Sequence, residues 1–197
     1  MSKEEILLRA YENAKEAFIP VCGEECARVL REQCEKTAPE RILEIGTAVG
    51  YSAAVMALAC GAQVDTIDMD EERLLAAQKL WEELGISGRI HAFCGDVKAI
   101  LEQVTHGKKY GLVFIDGPKS AYRYIFDHMK GRTEENAVII SDDVNYLGLV
   151  QGEGYPPHKH RTIVVNMRKY LEYISAPPFE TSIFWKDGIA VTKVKKW

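Results

Sequence analysis

The chain has 197 residues, enough for one domain with a sizeable core, and its 47% hydrophobic and 27% charged content is that of an ordinary water-soluble globular protein. A net charge of −4 excludes a general attraction to nucleic acid or acidic membranes, while leaving room for a local basic patch. No apolar run approaches the roughly 20 residues a membrane span needs.

Taken in chain order, the N-terminal stretch "MSKEEILLRAYENAK" is an amphipathic, charged helix without the apolar centre of a signal peptide, so a cytoplasmic protein is expected. Helices are predicted over 4–18 and 24–36, separated by "IPVCG". A short β-branched run, "RILEIG", predicts a strand over 41–46, and "YSAAVMALA" a helix over 51–59. "QVDTID" (63–68) reads as the next strand, followed by the helix "EERLLAAQKLWEELG" with Gly85 closing it. Strands at 89–94, 110–116 and 136–143 repeat the theme, with helices between them. A long loop (144–161) rich in glycine, proline and aromatics leads to a helix over 162–174. "ETSIFW", the turn "KDG" and "IAVTKV" then form a terminal antiparallel hairpin. Strand alternating with helix at this spacing predicts one doubly wound α/β domain over 1–197, its sheet mainly parallel and covered on both faces. The five cysteines (22, 26, 34, 60 and 94) form no C-x-x-C pair and read as small buried residues kept reduced.

In such folds ligands bind beyond the carboxyl ends of the strands, where strand order reverses. The first strand ends in "EIGTAVGYS", in which Gly46 and Gly50 permit a tight turn into a helix N-terminus. The spacing is G-x-x-x-G, not the G-x-G-x-x-G of a dinucleotide site, and Glu44 is badly placed for a diphosphate. That acid suits a ligand carrying positive charge or hydroxyl donors. The second strand ends in Asp68, placed to grip ribose hydroxyls, whereas Asp70 reads as a helix cap. "CGDV" puts Asp96 where it borders an adenine. Together Glu44, Asp68 and Asp96 describe a pocket for a nucleoside whose tail is not phosphate.

At the ends of the fourth and fifth strands stand "IDGPKSAY" and "ISDDV". With those strands adjacent, Asp116, Asp142 and Asp143 share one rim. Three carboxylates that close repel one another unless a cation neutralises them, and an all-oxygen set suits a hard divalent ion, magnesium first. The alternative is that all three only cap turns and the helix after Pro118. A metal held there would make a bound hydroxyl more nucleophilic by acting as a Lewis acid. Lys119, one turn on from Asp116, is placed to take the proton.

These motifs resemble those of the class I S-adenosylmethionine (SAM)-dependent methyltransferases, and "IDGPKSAY" with "ISDDV" is similar to the D-x-x-K-x-x-Y and D-N pair of the cation-dependent catechol and caffeoyl-CoA type. The likeness runs from "FIPVCGEE" to "DGIAVTK", and "IPVCGEE", "EIGTAVGYS" and "TIVVNMRKY" look most like the bacterial tRNA 5-hydroxyuridine methyltransferases. The resemblance implies a Rossmann-like seven-stranded sheet and a homodimer. It implies that Ser52 and the backbone around Gly46 hold the methionine part of SAM, with Glu44 nearby. Asp68 would take the ribose, Asp96 and Val97 would flank the adenine, Cys22 would lie against the cofactor through its backbone, and Asp116 would border it. Asp116, Asp142 and Asp143 would be the metal ligands, Lys119 the catalytic base and Tyr122 a supporting aromatic on the substrate side.

One departure is Asp143, where the family usually has asparagine; the extra charge favours tighter binding and admits manganese or calcium beside magnesium. The acceptor should carry two adjacent oxygens, as a catechol or the O4/O5 edge of 5-hydroxyuridine does. Loop 144–161 reads as a lid, and His158, Lys159 and Arg161, with Arg168 and Lys169, form the most basic part of the chain. That patch suits tRNA phosphates, or is simply a solvated loop and helix start, and Tyr146 and Tyr155 suit stacking on a base or a free aromatic ring. The best reading is methylation of 5-hydroxyuridine in tRNA, and the alternative a small hydroxylated aromatic. A non-catalytic nucleotide-binding protein and an NAD-dependent oxidoreductase are the remote readings. The complete acid–lysine set opposes the first and the missing G-x-G-x-x-G the second.

Overall fold

A computed structural model describes residues 1–195 and 197. Helices α1 (Lys3–Glu16) and α2 (Glu24–Thr37) precede an alternation of β1 (Arg41–Ile45), α3 (Tyr51–Cys60), β2 (Gln63–Asp68), α4 (Glu71–Glu83), β3 (Ile90–Cys94), α5 (Val97–Thr105), β4 (Tyr110–Ile115), α6 (Tyr122–His128) and β5 (Thr133–Ser141). After the long loop come α7 (Arg161–Ile174), β6 (Glu180–Phe184) and β7 (Ile189–Val194). The strands form one seven-stranded sheet in the order β3-β2-β1-β4-β5-β7-β6. The first five strands pair in parallel, and β7 pairs antiparallel with both β5 and β6. This is the expected α/β architecture with its terminal hairpin. Strand β5 begins three residues earlier than its hydrophobic run predicts. There the register with β4 slips between Tyr110 and Leu112, and Asn136 turns through a positive φ of 60°.

Two apolar layers sandwich the sheet because the strand residues alternate in direction. Ile42, Val64, Leu112, Phe114, Val138 and Ile140 pack towards α1–α4. Leu43, Ile45, Ile67, Val113, Ile115 and Ile139 pack towards α5–α7. One strand position breaks the apolar rule. Asp65, wholly buried in β2, accepts from the Tyr110 hydroxyl at 2.8 Å and pairs with Lys108 at 3.0 Å and Arg41 at 3.2 Å. Its charge is neutralised near the amino ends of the strands, away from the turns that build the site.

Consecutive ladder bonds run past the strand ends. Gly46 N–H donates to Ile67, Asp116 N–H to Ile45, and Asp142 N–H to Ile115. They set the glycine turn after β1 beside the ends of β4 and β5, and strand order reverses between β1 and β4.

Candidate active site

A cavity of about 310 Å³ opens at that reversal. Gly46, Asp68, Met69, Asp96, Val97 and Asp116 are among the residues lining it, with Gly117 and Pro118 closing one side. A larger cavity, of about 1030 Å³, lies at the opposite end of the strands, lined by Arg41, Lys108, Lys109 and Glu134 among others. It is an open polar hollow, and the site residues expected from sequence do not face it.

The cavity walls are held by the chain's own backbone. Asp68 accepts from Ala48 N–H at 2.9 Å and from Asp70 N–H at 3.0 Å. Each oxygen keeps acceptor capacity towards the cavity, and its direction is set before any ligand arrives. Asp96 caps α5 by accepting from Lys98 N–H at 2.8 Å, while Asp70 caps α4 by accepting from Arg73 N–H at 3.1 Å. Gly46 (φ 99°) is required by close approach: a Cβ there would stand 2.3 Å from the Asp116 carbonyl oxygen. Gly50 has a different reason. Trp81 fills the space beside it, donating its indole N–H to the Gly50 carbonyl at 2.9 Å. The second glycine of the turn therefore serves packing against α4 and leaves no gap for a ligand at that point.

Glu44 and Ser52 lie behind this cavity and do not line it. Glu44 is 0% exposed, and its two oxygens accept from the Ser52 and Thr66 hydroxyls, each at 2.6 Å. The Thr47 hydroxyl joins at 2.6 Å from that of Thr66. Burial pushes Glu44 up to about 8, against the two hydroxyl bonds. The hydroxyl donors this acid suits are thus supplied by the chain itself. Cys22 is also buried, within the apolar layer under α2, beside Cys26. Thr47, Thr66, Met69 and Cys26 escaped sequence reasoning. The two threonines sit at or just beyond strand ends next to a buried acid, a signal that could have found them.

At the other rim, Lys119 lies between two carboxylates, 3.2 Å from Asp143 and 3.8 Å from Asp116, and donates to the Tyr122 hydroxyl at 2.8 Å. Tyr122 is wholly buried and passes its own proton to the Asp142 carbonyl at 2.8 Å. The phenol, expected on the substrate side, is buried at the start of α6 against Tyr170 of α7 and acts as a strut between Lys119 and the end of β5. Burial, with Asp142 adding and Lys119 opposing, pushes Asp116 up to about 7. Asp142 is raised as well, by burial first, and accepts from the Asp143 N–H at 2.8 Å and from the Cys26 thiol.

The donor chemistry of this rim suits a hard divalent cation: the groups are oxygens, and burial first, with neighbouring carboxylates adding, holds two of the acids above their ordinary values. Among the described residues, however, no three acids, cysteines or histidines are gathered at metal-ligand spacing. The positive group standing among them is the Lys119 ammonium.

Loop 144–161 departs from expectation at Arg168. Its guanidinium donates to the carbonyls of Val150 (2.9 Å), Gly154 (3.1 Å), Leu149 (3.2 Å) and Gly152. It ties the loop together and is not a free phosphate contact. His158, Lys159 and Arg161 are exposed beside the loop, as is Lys169. Tyr146 pairs with His160 at 3.2 Å, and the exposed Tyr155 ring faces the Arg161 guanidinium at 5.5 Å.

The family model described as "O-methyltransferase" matches residues 8–194. The chain belongs to the O-methyltransferase family. The bovine (Bos taurus) catechol O-methyltransferase is 32% identical over 162 residues, which cover 77% of this chain and 57% of that protein. The caffeoyl-CoA O-methyltransferase of Populus kitakamiensis is 25% identical over 142 residues, covering 67% and 60% of the two chains. The chain thus spans somewhat over half the length of these curated relatives. In structure, the O-methyltransferase from Bacillus cereus in complex with SAH superposes with a TM-score of 0.82 at 23% identity, over 99% of this chain and 93% of that one. The likeness confirms the family fold, including the antiparallel end of the sheet. No helix among the described residues is long and apolar enough to cross a membrane.

Proposed function

We propose that the protein is a SAM-dependent, divalent-metal-dependent O-methyltransferase acting on a hydroxyl beside a second oxygen. The observation that carries this reading is the arrangement at the β1–β4 reversal. A nucleoside-sized cavity flanked by Asp68 and Asp96 there meets, through Asp116, a lysine held between the Asp116 and Asp143 carboxylates.

Asp68, already oriented by two N–H donors, takes the ribose hydroxyls; Asp96 with Val97 borders the adenine, and Met69 covers the open side. Gly46 and Asp116 would border the methionine part of SAM, with the buried Glu44–Ser52 pair behind them. Bound SAM supplies an electrophilic methyl group. A divalent cation held by Asp116, Asp142 and Asp143 would polarise the acceptor hydroxyl as a Lewis acid. Lys119, as the neutral amine after its ammonium proton has been released to solvent, would receive the hydroxyl proton at Nζ, with Tyr122 fixing its approach. Holding acceptor and donor in line supplies much of the rate.

For the acceptor, the exposed His158, Lys159, Arg161 and Lys169 favour 5-hydroxyuridine in tRNA, because their charge stands on an otherwise acidic chain. The names of the relatives favour a small catechol-like ring as the second reading. A homodimer is proposed with either. The deciding experiment is transfer of labelled methyl from SAM to tRNA containing 5-hydroxyuridine, run beside a catechol panel, with and without EDTA, in the unsubstituted protein and Lys119→Ala. Calorimetry on both proteins accompanies it. We expect EDTA-sensitive transfer that Lys119→Ala abolishes while SAM still binds. Tight NAD binding without SAM binding, or full activity in Lys119→Ala, would overturn the assignment.

A further inference from the structure

The cysteines expected to be uniformly buried are not: Cys60 is half-buried and Cys94 exposed. Cys60 is the last residue of α3 and packs against the core layer that holds Cys34, which is 0% exposed on the facing helix α2, with the two thiols as hydrogen-bond partners. The Cys60 thiol also lies 3.3 Å from the Met56 carbonyl and accepts from the Ala62 N–H. Arg89 stands over the same helix end, donating to the Ala57 carbonyl at 2.7 Å and lying 3.6 Å from where a Cβ on Gly61 would be. The Cys34 hydrogen bond, helped by the Ala62 N–H and Arg89 and opposed by burial, holds Cys60 below the ordinary thiol value. The same contact, with burial, raises Cys34. A partly exposed sulfur with a cation, an N–H donor and a second thiol against it is the setting in which cysteines react.

We propose that Cys60 is an oxidation site for hydroperoxides and that Cys34 resolves it to a disulfide joining α2 to α3. In the first step the Cys60 thiolate attacks one peroxide oxygen and the O–O bond breaks. Sulfur becomes a sulfenic acid, and the departing oxygen leaves protonated, as water or an alcohol. In the second, the Cys34 sulfur attacks the sulfenic sulfur; the S–S bond forms, the S–O bond breaks, and the hydroxyl leaves with the Cys34 proton as water. The two thiols lose two electrons and two protons between them, and the peroxide takes them up. The pair lies at the ends of α2 and α3 remote from the cavity, since α3 enters the site through Ser52, near its first turn, and α2 reaches Asp142 through Cys26. The proposal therefore stands independently of methyl transfer.

The test is titration of the folded protein with hydrogen peroxide, blocking of residual thiols, and peptide mapping by mass spectrometry without reduction. A Cys34–Cys60 cross-linked peptide is expected at peroxide doses that leave the exposed Cys94 unmodified. Cys34→Ser should trap Cys60 as a sulfenic acid that a dimedone probe labels, and Cys60→Ser should leave Cys34 unreacted. Oxidation of Cys94 first, with Cys60 intact in both unsubstituted protein and Cys34→Ser, would overturn the proposal. So would a cross-link made through Cys22 or Cys26, or a trapped Cys60 sulfenic acid in Cys34→Ser without any Cys34–Cys60 link in the unsubstituted protein.

Discussion

The Tyr122 hydroxyl joins the start of α6 to the end of β5, accepting from Lys119 and donating to the Asp142 carbonyl. Tyr122→Phe removes both bonds without changing shape, leaving one buried carbonyl without its donor. The expected loss of stability is about 1–3 kcal/mol, measured by urea unfolding. With Lys119 unbraced, kcat should fall while the dissociation constant for SAM stays unchanged; an unaltered kcat would show that the strut does not position Lys119. The D-x-x-K-x-x-Y spacing made the lysine and tyrosine visible in the sequence, but not which of them faces the cleft. Burial decided that. Asp143 shows the same limit: its φ of 49° is a left-handed conformation that Asn and Asp tolerate better than most residues. Backbone shape therefore admits both the family's asparagine and this aspartate, and the difference between them is the charge that reaches Lys119.

Among the elements, the 144–161 loop is where pattern and structure part most clearly. From 144 to 160 the chain has no regular ladder beyond a short turn of helix, so many of its carbonyls need outside donors. One guanidinium on α7 serves four of them, because its forked donors reach several directions at once. Arg168→Ala should raise amide exchange across 149–154 and cost about 1–3 kcal/mol through lost charged hydrogen bonds, while leaving the cofactor cavity intact. Hydrogen–deuterium exchange checks this, and unchanged protection in the loop would refute the clamp. Charge alone placed Arg168 in a phosphate patch; its partners lie 14 to 19 residues away along an irregular chain, beyond any periodicity. The helices and strands themselves were legible almost to their ends. Repeating β-branched runs and amphipathic stretches are local, and the caps at Asp70 and Asp96 bond within three residues.

For the whole molecule, the buried Glu44 links stability to pH. Its value in the folded chain is raised to about 8 from an ordinary 4.5. Between those two pH values the folded state keeps a proton that the unfolded chain has shed, so stability falls as pH rises through the window and the penalty is complete above it. Glu44→Gln mimics the protonated acid and cannot lose that proton. Thermal unfolding from pH 5 to 9 should show a shallower decline in the variant than in the unsubstituted protein, and parallel profiles would contradict the assignment. The Ser52 and Thr66 bonds partly oppose this rise, so the slope measures burial less those two contacts.

Strand and helix order, the parallel sheet with its terminal hairpin and the placing of acids at strand ends were decided by composition, periodicity and short motifs, and those motifs carried the family resemblance. Each depends on neighbours a few residues apart, and sequence spacing reports such neighbours directly. Folding decided the partner of each polar atom: Trp81 against Gly50, two hydroxyls on Glu44, Lys119 among its acids, Arg168 on the 144–161 loop and Cys34 against Cys60. Those pairings depend on distances through space between segments far apart in the chain, and only the packed sheet with its two helical layers brings them within bonding range.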